Sequence, residues 1–193
     1  MTVLVISSFS FGFLFHSVLN SPNKIGSGSL FASVMSFFEP RNVILSLPIN
    51  LRIPKINIDA TIEQVDLTTD WSIDVPKKIN DAAWFDLGPY PGENGSAVIV
   101  GHYGWKNGEH AVFDDLHQLN KGDKIYVEDE KGLTSTFVVS EVKTYDQNDN
   151  ASGVFTSNDG KAHLNLITCE GVWNKTKKSY SSRLVVFSDK EIK

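Results

Sequence analysis

From Pro48 onward, apolar and polar positions alternate with a period of two. "LRIPKINIDATIEQVD" sets Ile and Val against Arg, Lys, Asp and Glu, the pattern of strands with one buried face. "WSIDVP", "SAVIVGH", "KIYVEDE", "TSTFVVSEVKTYD", "HLNLIT" and "RLVVFSD" follow as short β-branched or aromatic runs bounded by Gly, Asn, Asp and Pro, and together they predict seven or eight strands. "NKGD" and "DEKGL" are turn signals on either side of the strand at Lys124 to Asp129. Helical spacing is scarce. "AVFDDLHQL" sets Val112, Leu116 and Leu119 on one face over about two turns, and "INDAAWF" predicts another short helix. Many short strands with few helices predict an all-β domain, and residues 48–193 suit one closed barrel with loop insertions.

Before Pro48 the texture is different. From Val3 to Leu19 there is no Lys, Arg, Asp or Glu, and the first formal charge is Lys24. As a helix this segment rises about 25 Å against a hydrocarbon core of about 30 Å. It reads as an uncleaved membrane-anchor helix over 1–20. A cleaved signal peptide is the rival, but the basic n-region and the small-residue cleavage site that it needs are missing. Lys24 and Arg41 follow the segment, and by the positive-inside rule they favour the sense opposite to an exported domain. Residues 21–47, with Pro22, Gly26, Gly28 and Pro40 and no sustained period, read as a linker, which leaves 48–193 as the folded domain.

Composition narrows the function classes. With 193 residues, 41% hydrophobic and 11% aromatic, the chain can build a real core. A formal charge of -5 argues against a nucleic-acid partner, whose footprint is basic. The single cysteine, Cys169, excludes an intrachain disulfide, so the fold stands on its core.

A lone cysteine is commonly a small buried hydrophobe. Its company matters here: His102 follows "SAVIVG", Cys169 follows "HLNLIT" and Arg183 opens "RLVVF", so all three are expected at strand tips. If those tips share one rim, the three groups suit acyl transfer by a thiolate. Sulfur is the nucleophile, a nearby cation raises its ionised fraction, and the imidazole protonates the leaving amine. The permanently charged guanidinium donates hydrogen bonds to the developing oxyanion. Of the other histidines, only His110 is a serious competitor. His16 lies in the apolar N-terminal segment, and His163 is on the cysteine's own strand but about 20 Å away. His117 sits on the expected short helix, and His110 shares a loop with His102 but has no strand to fix it. Asp114, Asp115, Asp146 and Asp149 lack the spacing of a calcium loop and read as solvated.

"SAVIVGHYG", "AVFDDLHQLNKGDKIYV", "LNLITCEG" and "SSRLVVF", in that order, resemble the sortases, the membrane-anchored cysteine transpeptidases of bacteria. The similarity covers about residues 48–189 and is closest to the single-barrel class E or F type. It implies a closed eight-stranded β-barrel and His102, Cys169 and Arg183 as the catalytic set; some members of the family bind calcium through acidic loop residues, but the acidic spacing here gives no metal site, and no cofactor is expected. It further implies an N-terminal segment that holds the domain at the outer face of the cell membrane. The implied substrate is a C-terminal sorting signal of LPXTG type, cleaved through a thioacyl-enzyme. The implied acceptor is an amine, from a peptidoglycan precursor or a pilin lysine. Thr168 matches the family's residue before the cysteine and is a candidate for shaping the oxyanion site. Trp173 and Tyr180, in an expected loop "CEGVWNKTKKSYSSR", are candidates for contacting the signal peptide or capping the barrel, and Lys175, Lys177 and Lys178 read as a solvated face. Two other readings remain: a non-catalytic, surface-anchored barrel that binds a peptide or glycan, and a redox or thiol-hydrolase protein without an amine acceptor.

Overall fold

The computed structural model describes residues 46–104, 110–146, 149–176 and 179–192, all within the compact unit Ile44–Lys193. The expected anchor at 1–20, nearly all of the linker, and Lys177 and Lys178 lie outside the described residues. Among the described residues, no helix is long and apolar enough to cross a membrane.

Eight strands close into a barrel in the order β1-β2-β3-β4-β7-β8-β6-β5. They are β1 (Pro48–Ile53), β2 (Ile58–Val65), β3 (Ala82–Phe85), β4 (Gly95–Gly101), β5 (Lys124–Asp129), β6 (Thr134–Asp146), β7 (Ala162–Asn174) and β8 (Ser179–Lys190). The pairs β2/β3 and β4/β7 are parallel and the others antiparallel. Closure gives each strand a neighbour on both sides within the barrel.

Inward residues fill the barrel. Leu51, Ile53, Trp84, Ile99, Ile125, Phe137, Leu164, Leu166 and Val186 belong to one core cluster, each no more than 1% exposed. A second cluster lies on the outer face, where Val65, Ala83, Val98 and Val100 pack with Ile73, Phe85 and Ile167. The short helix α1 (Ser152–Phe155) lies against β4, its Val154 carbonyl accepting a 2.6 Å hydrogen bond from Asn165 Nδ2.

Three local expectations change. "INDAAWF" is not a helix, because Ala82, Ala83 and Trp84 are all buried as β3. A strand covered on both faces loses the alternation that marks a half-buried one. "WSIDVP" is not a strand and joins only through an isolated bridge between Leu67 and Ile73. The chain turns tightly there, with Trp71 at φ +64° and its N–H on the Thr68 carbonyl, and Pro76 removes a ladder donor soon after. "AVFDDLHQL" forms turns and one 3-10 turn at Leu116–Gln118. The Val112 and Phe113 N–H groups go to the Ile79 and His102 carbonyls, while Asp114 caps Ala111 N, an alternative to helix that short acidic side chains favour. Leu116 and Leu119 still reach the core.

Candidate active site

Strand parity decides which residues meet. On β7, Leu164, Leu166 and Thr168 are buried toward the barrel interior, and His163, Asn165, Ile167 and Cys169 take the outer face. Val100 of β4 pairs with Ile167. One step further, the Thr168 hydroxyl donates to the Gly101 carbonyl at 2.8 Å, so His102 leaves β4 beside Cys169. Across the other edge of β7, Cys169 and Arg183 are direct partners. His102, Cys169 and Arg183 therefore form one row on the outside of the barrel.

This corrects the expectation of three strand tips. Only His102 follows a strand end; Cys169 and Arg183 lie within β7 and β8, which continue as a hairpin to Asn174 and Ser179. The expected loop from Cys169 to Arg183 is mostly strand. A register shift between Glu170 and Trp173 breaks its ladder, with Gly171 at φ +85°, a bulge that re-aims side chains beside the row.

The Cys169 thiol is half-buried and unbridged. Burial pushes its pKa up, and the Arg183 charge opposes this without overcoming it. The resting sulfur is thus a protonated thiol at neutral pH. Arg183 is exposed and curls onto its own strand, Nη1 donating to Ser182 O at 2.9 Å and Tyr180 O at 3.2 Å. His102 Nε2 lies 2.7 Å from the Pro76 carbonyl. A carbonyl only accepts, so Nε2 carries the proton.

Aromatic rings wall the row. Tyr180 makes edge-on contacts with Tyr103, centroids 5.4 Å apart, and Trp173, 5.1 Å apart. Burial raises the Tyr180 pKa, with Cys169, Tyr103 and Asp114 adding to the rise. The motif "GHYG" needs both glycines. A Cβ on Gly101 would lie 2.4 Å from the Phe113 ring, and one on Gly104, at φ +95°, would lie 2.6 Å from the Tyr180 hydroxyl. Asp114 ties this loop down through Gly104 N at 2.7 Å and His110 Nδ1 at 3.2 Å.

Thr168 is 3% exposed and its hydroxyl donates to the Gly101 carbonyl, so its side chain ties β7 to the end of β4. Trp173 is 48% exposed. His163 is held by Asp189 at 2.7 Å and Asp159 at 3.0 Å, and His117 by the Asp114 carbonyl. Asp146 accepts from Ser182 and Asp115 from Gln118. Among the described residues, no cluster of His, Cys, Asp and Glu suits a metal ion. Next to Arg183 lies a groove of about 280 Å³ with a largely apolar floor of Ile167, Val185, Val154 and Phe155, and Tyr145 at its side.

Comparison with known proteins agrees with this architecture. Sortase C-1 from Actinomyces oris is 21% identical with a TM-score of 0.60, the match covering 83% of this chain and 82% of that one. Streptococcus agalactiae sortase C1, in complex with MTSET, is 21% identical with a TM-score of 0.59 over 75% and 69%. A Clostridium perfringens sortase D5 transpeptidase is 23% identical with a TM-score of 0.55 over 75% and 79%. These likenesses establish the fold and leave the class E or F resemblance unassigned. No curated protein matches in sequence. The family model described as "Sortase domain" matches residues 51–191, a span that contains all eight strands apart from the first residues of β1 together with the whole outer-face row. The chain belongs to the sortase family.

Proposed function

We propose that the protein is a cysteine transpeptidase that cleaves an LPXTG-type sorting signal and joins the upstream protein to an amine. The observation that carries this reading is the cross-strand pairing of Cys169 with Arg183 beside the start of the His102 loop. Cys169 Sγ attacks the carbonyl carbon of the signal's Thr as its proton leaves toward His102. The tetrahedral oxyanion is met by Arg183 N–H groups, which carry full charge at any working pH. Collapse breaks the Thr–Gly C–N bond, His102 returns a proton to the departing amine, and a thioester remains on Cys169. An incoming amine attacks that thioester, gives up a proton and releases the thiol. Because the resting group is a thiol rather than a thiolate, proton removal is part of the barrier, and the charge of Arg183 lowers it.

The apolar groove at Ile167, Val185 and Val154 suits the Leu and Pro of such a signal, and Trp173 and Tyr180 border the peptide's path. Thr168, directly before Cys169, contributes by tying β7 to the end of β4 from which His102 departs. The acceptor is the amine of a peptidoglycan precursor or a pilin lysine. The Val3–Leu19 segment holds the domain at the outer face of the cell membrane as a single-pass anchor. Incubation of the protein with LPXTG-like peptides, with and without a short amine, tests the reading. A ligated product with ping-pong kinetics supports it, hydrolysis alone points to a thiol hydrolase, and binding without turnover points to a silent barrel.

A further inference from the structure

The peptide unit that receives His102 is itself held from behind. The Pro76 carbonyl accepts from His102 Nε2 at 2.7 Å, and the N–H of the same peptide unit, at Lys77, donates to Glu63 Oε1 at 3.1 Å. Carboxylate, peptide and imidazole are thus in series. Glu63 is on β2, paired with Ala83 of β3. Ala83 pairs with Val100 of β4, and Val100 with Ile167 of β7. Glu63 therefore belongs to the same outer face as His102 and Cys169. Pro76 is buried, and its ring fixes φ, which removes one of the two torsions that would move its carbonyl.

We propose that Glu63 is a positioning residue that orients His102 through the Pro76–Lys77 peptide, doing at one remove what a carboxylate bonded directly to a catalytic histidine does. An oxygen that accepts from the N–H of a peptide polarises its carbonyl and strengthens it as an acceptor, whether that oxygen is a carboxylate's or an amide's. The carbonyl in turn holds the proton on Nε2, leaving Nδ1 as the nitrogen that exchanges a proton with sulfur and amine. Hydrogen-bond partners one step behind a working imidazole set its tautomer and ring orientation in this way. Among the described residues, the other charged and titratable groups on the elements around His102 are Cys169 and Arg183 along the row, Asp81 with its Lys78 ion pair on the β3 side, and Tyr103, Tyr180 and Asp114 around its own loop.

The catalytic part of this proposal rests on the transpeptidase reading, whereas the tautomer does not. The test is therefore ¹⁵N-detected NMR of the imidazole nitrogens of His102 in the substrate-free protein, at a pH where the ring is neutral, alongside kcat and KM for an LPXTG-type peptide. Wild type should show the Nε2–H form. Glu63→Ala should shift population toward Nδ1–H and lower kcat about 10- to 100-fold, the scale of a misplaced catalytic group, with KM within about twofold. Glu63→Gln, whose amide oxygen still accepts from Lys77 N, should restore the tautomer and most of kcat, which also separates positioning from a folding defect. A Glu63→Ala protein with the wild-type nitrogen pattern overturns the proposal, as does an altered pattern with unchanged kcat, or a Gln variant as impaired as Ala. A wild-type protein that turns over no peptide removes the transpeptidase reading and leaves the nitrogen pattern to decide the orientation of His102.

Discussion

The two faces of β7 hold side chains for different ends. Inward, Leu164 and Leu166 are fully buried in the barrel core, and Thr168 spends its hydroxyl on Gly101. Outward, Ile167 floors a groove, Cys169 faces Arg183, and His163 is clasped by two carboxylates. A period of two lets one strand serve the core and the site without either sharing a residue. Stability and chemistry should therefore separate cleanly by parity along this strand, and each variant below tests that separation.

The largest effect belongs to Cys169→Ala, which should abolish turnover while shifting the thermal midpoint little, because an outward half-buried thiol contributes little to the core. Peptide turnover and thermal unfolding measured on the same preparation check both halves. Leu166→Ala is the mirror case. It should cost about 2–5 kcal/mol of unfolding free energy, the range for emptying a packed core position, with the site chemistry retained below the lowered midpoint in denaturant titration. Arg183→Ala should lower kcat/KM by about 10²- to 10³-fold and leave the fold intact. It should also raise the Cys169 pKa further, since the guanidinium is what opposes burial there; the pH dependence of thiol alkylation reads that shift directly.

Thr168→Val crosses the divide. It removes the tie to Gly101 and leaves that carbonyl without its partner, at a cost of about 1–3 kcal/mol, and it loosens the end of β4 from which His102 departs. Both the midpoint and kcat should fall. The smallest effect concerns the outward clasp at the far end of β7. Burial tends to lower the His163 pKa, but its bonds to Asp159 and Asp189 outweigh burial and raise it, while Asp159 is held well below the usual carboxylate range by His163, Lys161 N and Ser157. The histidine's contribution is full below its unfolded pKa near 6.5 and is lost as pH rises through the elevated folded value. The Asp159 contribution is full above its unfolded pKa near 4 and is lost as pH falls through the depressed one. The difference in stability between wild type and Asp159→Asn should thus be greatest between about pH 4 and 6.5 and shrink at either side. A difference that grows above pH 8 contradicts the clasp.

Much of this was legible in the sequence because period-two patterns and turn residues are local signals. Gly122 and Gly132 take the positive φ that "NKGD" and "DEKGL" called for. β3 was misread because burial on both faces erased its alternation, and the 110–119 segment because Asp114 and two tertiary carbonyls claim its N–H groups. Cys169, His102 and Arg183 stand out by residue type, but their meeting on an outer face depends on register, which no single strand encodes. Pro76 leaves no trace at all: what it offers His102 is a backbone oxygen, which any residue has. Glu63 is hidden for the same reason, since it acts on a peptide group.

The most direct measurement is the intact mass of the protein, followed by peptide mapping, after brief exposure to an LPXTG-type peptide without an added amine. The account predicts an adduct on Cys169 equal to the peptide through its Thr, discharged when a short amine is added. Cleavage that persists in Cys169→Ala, or a wild-type Cys169 that alkylates readily yet never carries an acyl group, contradicts it.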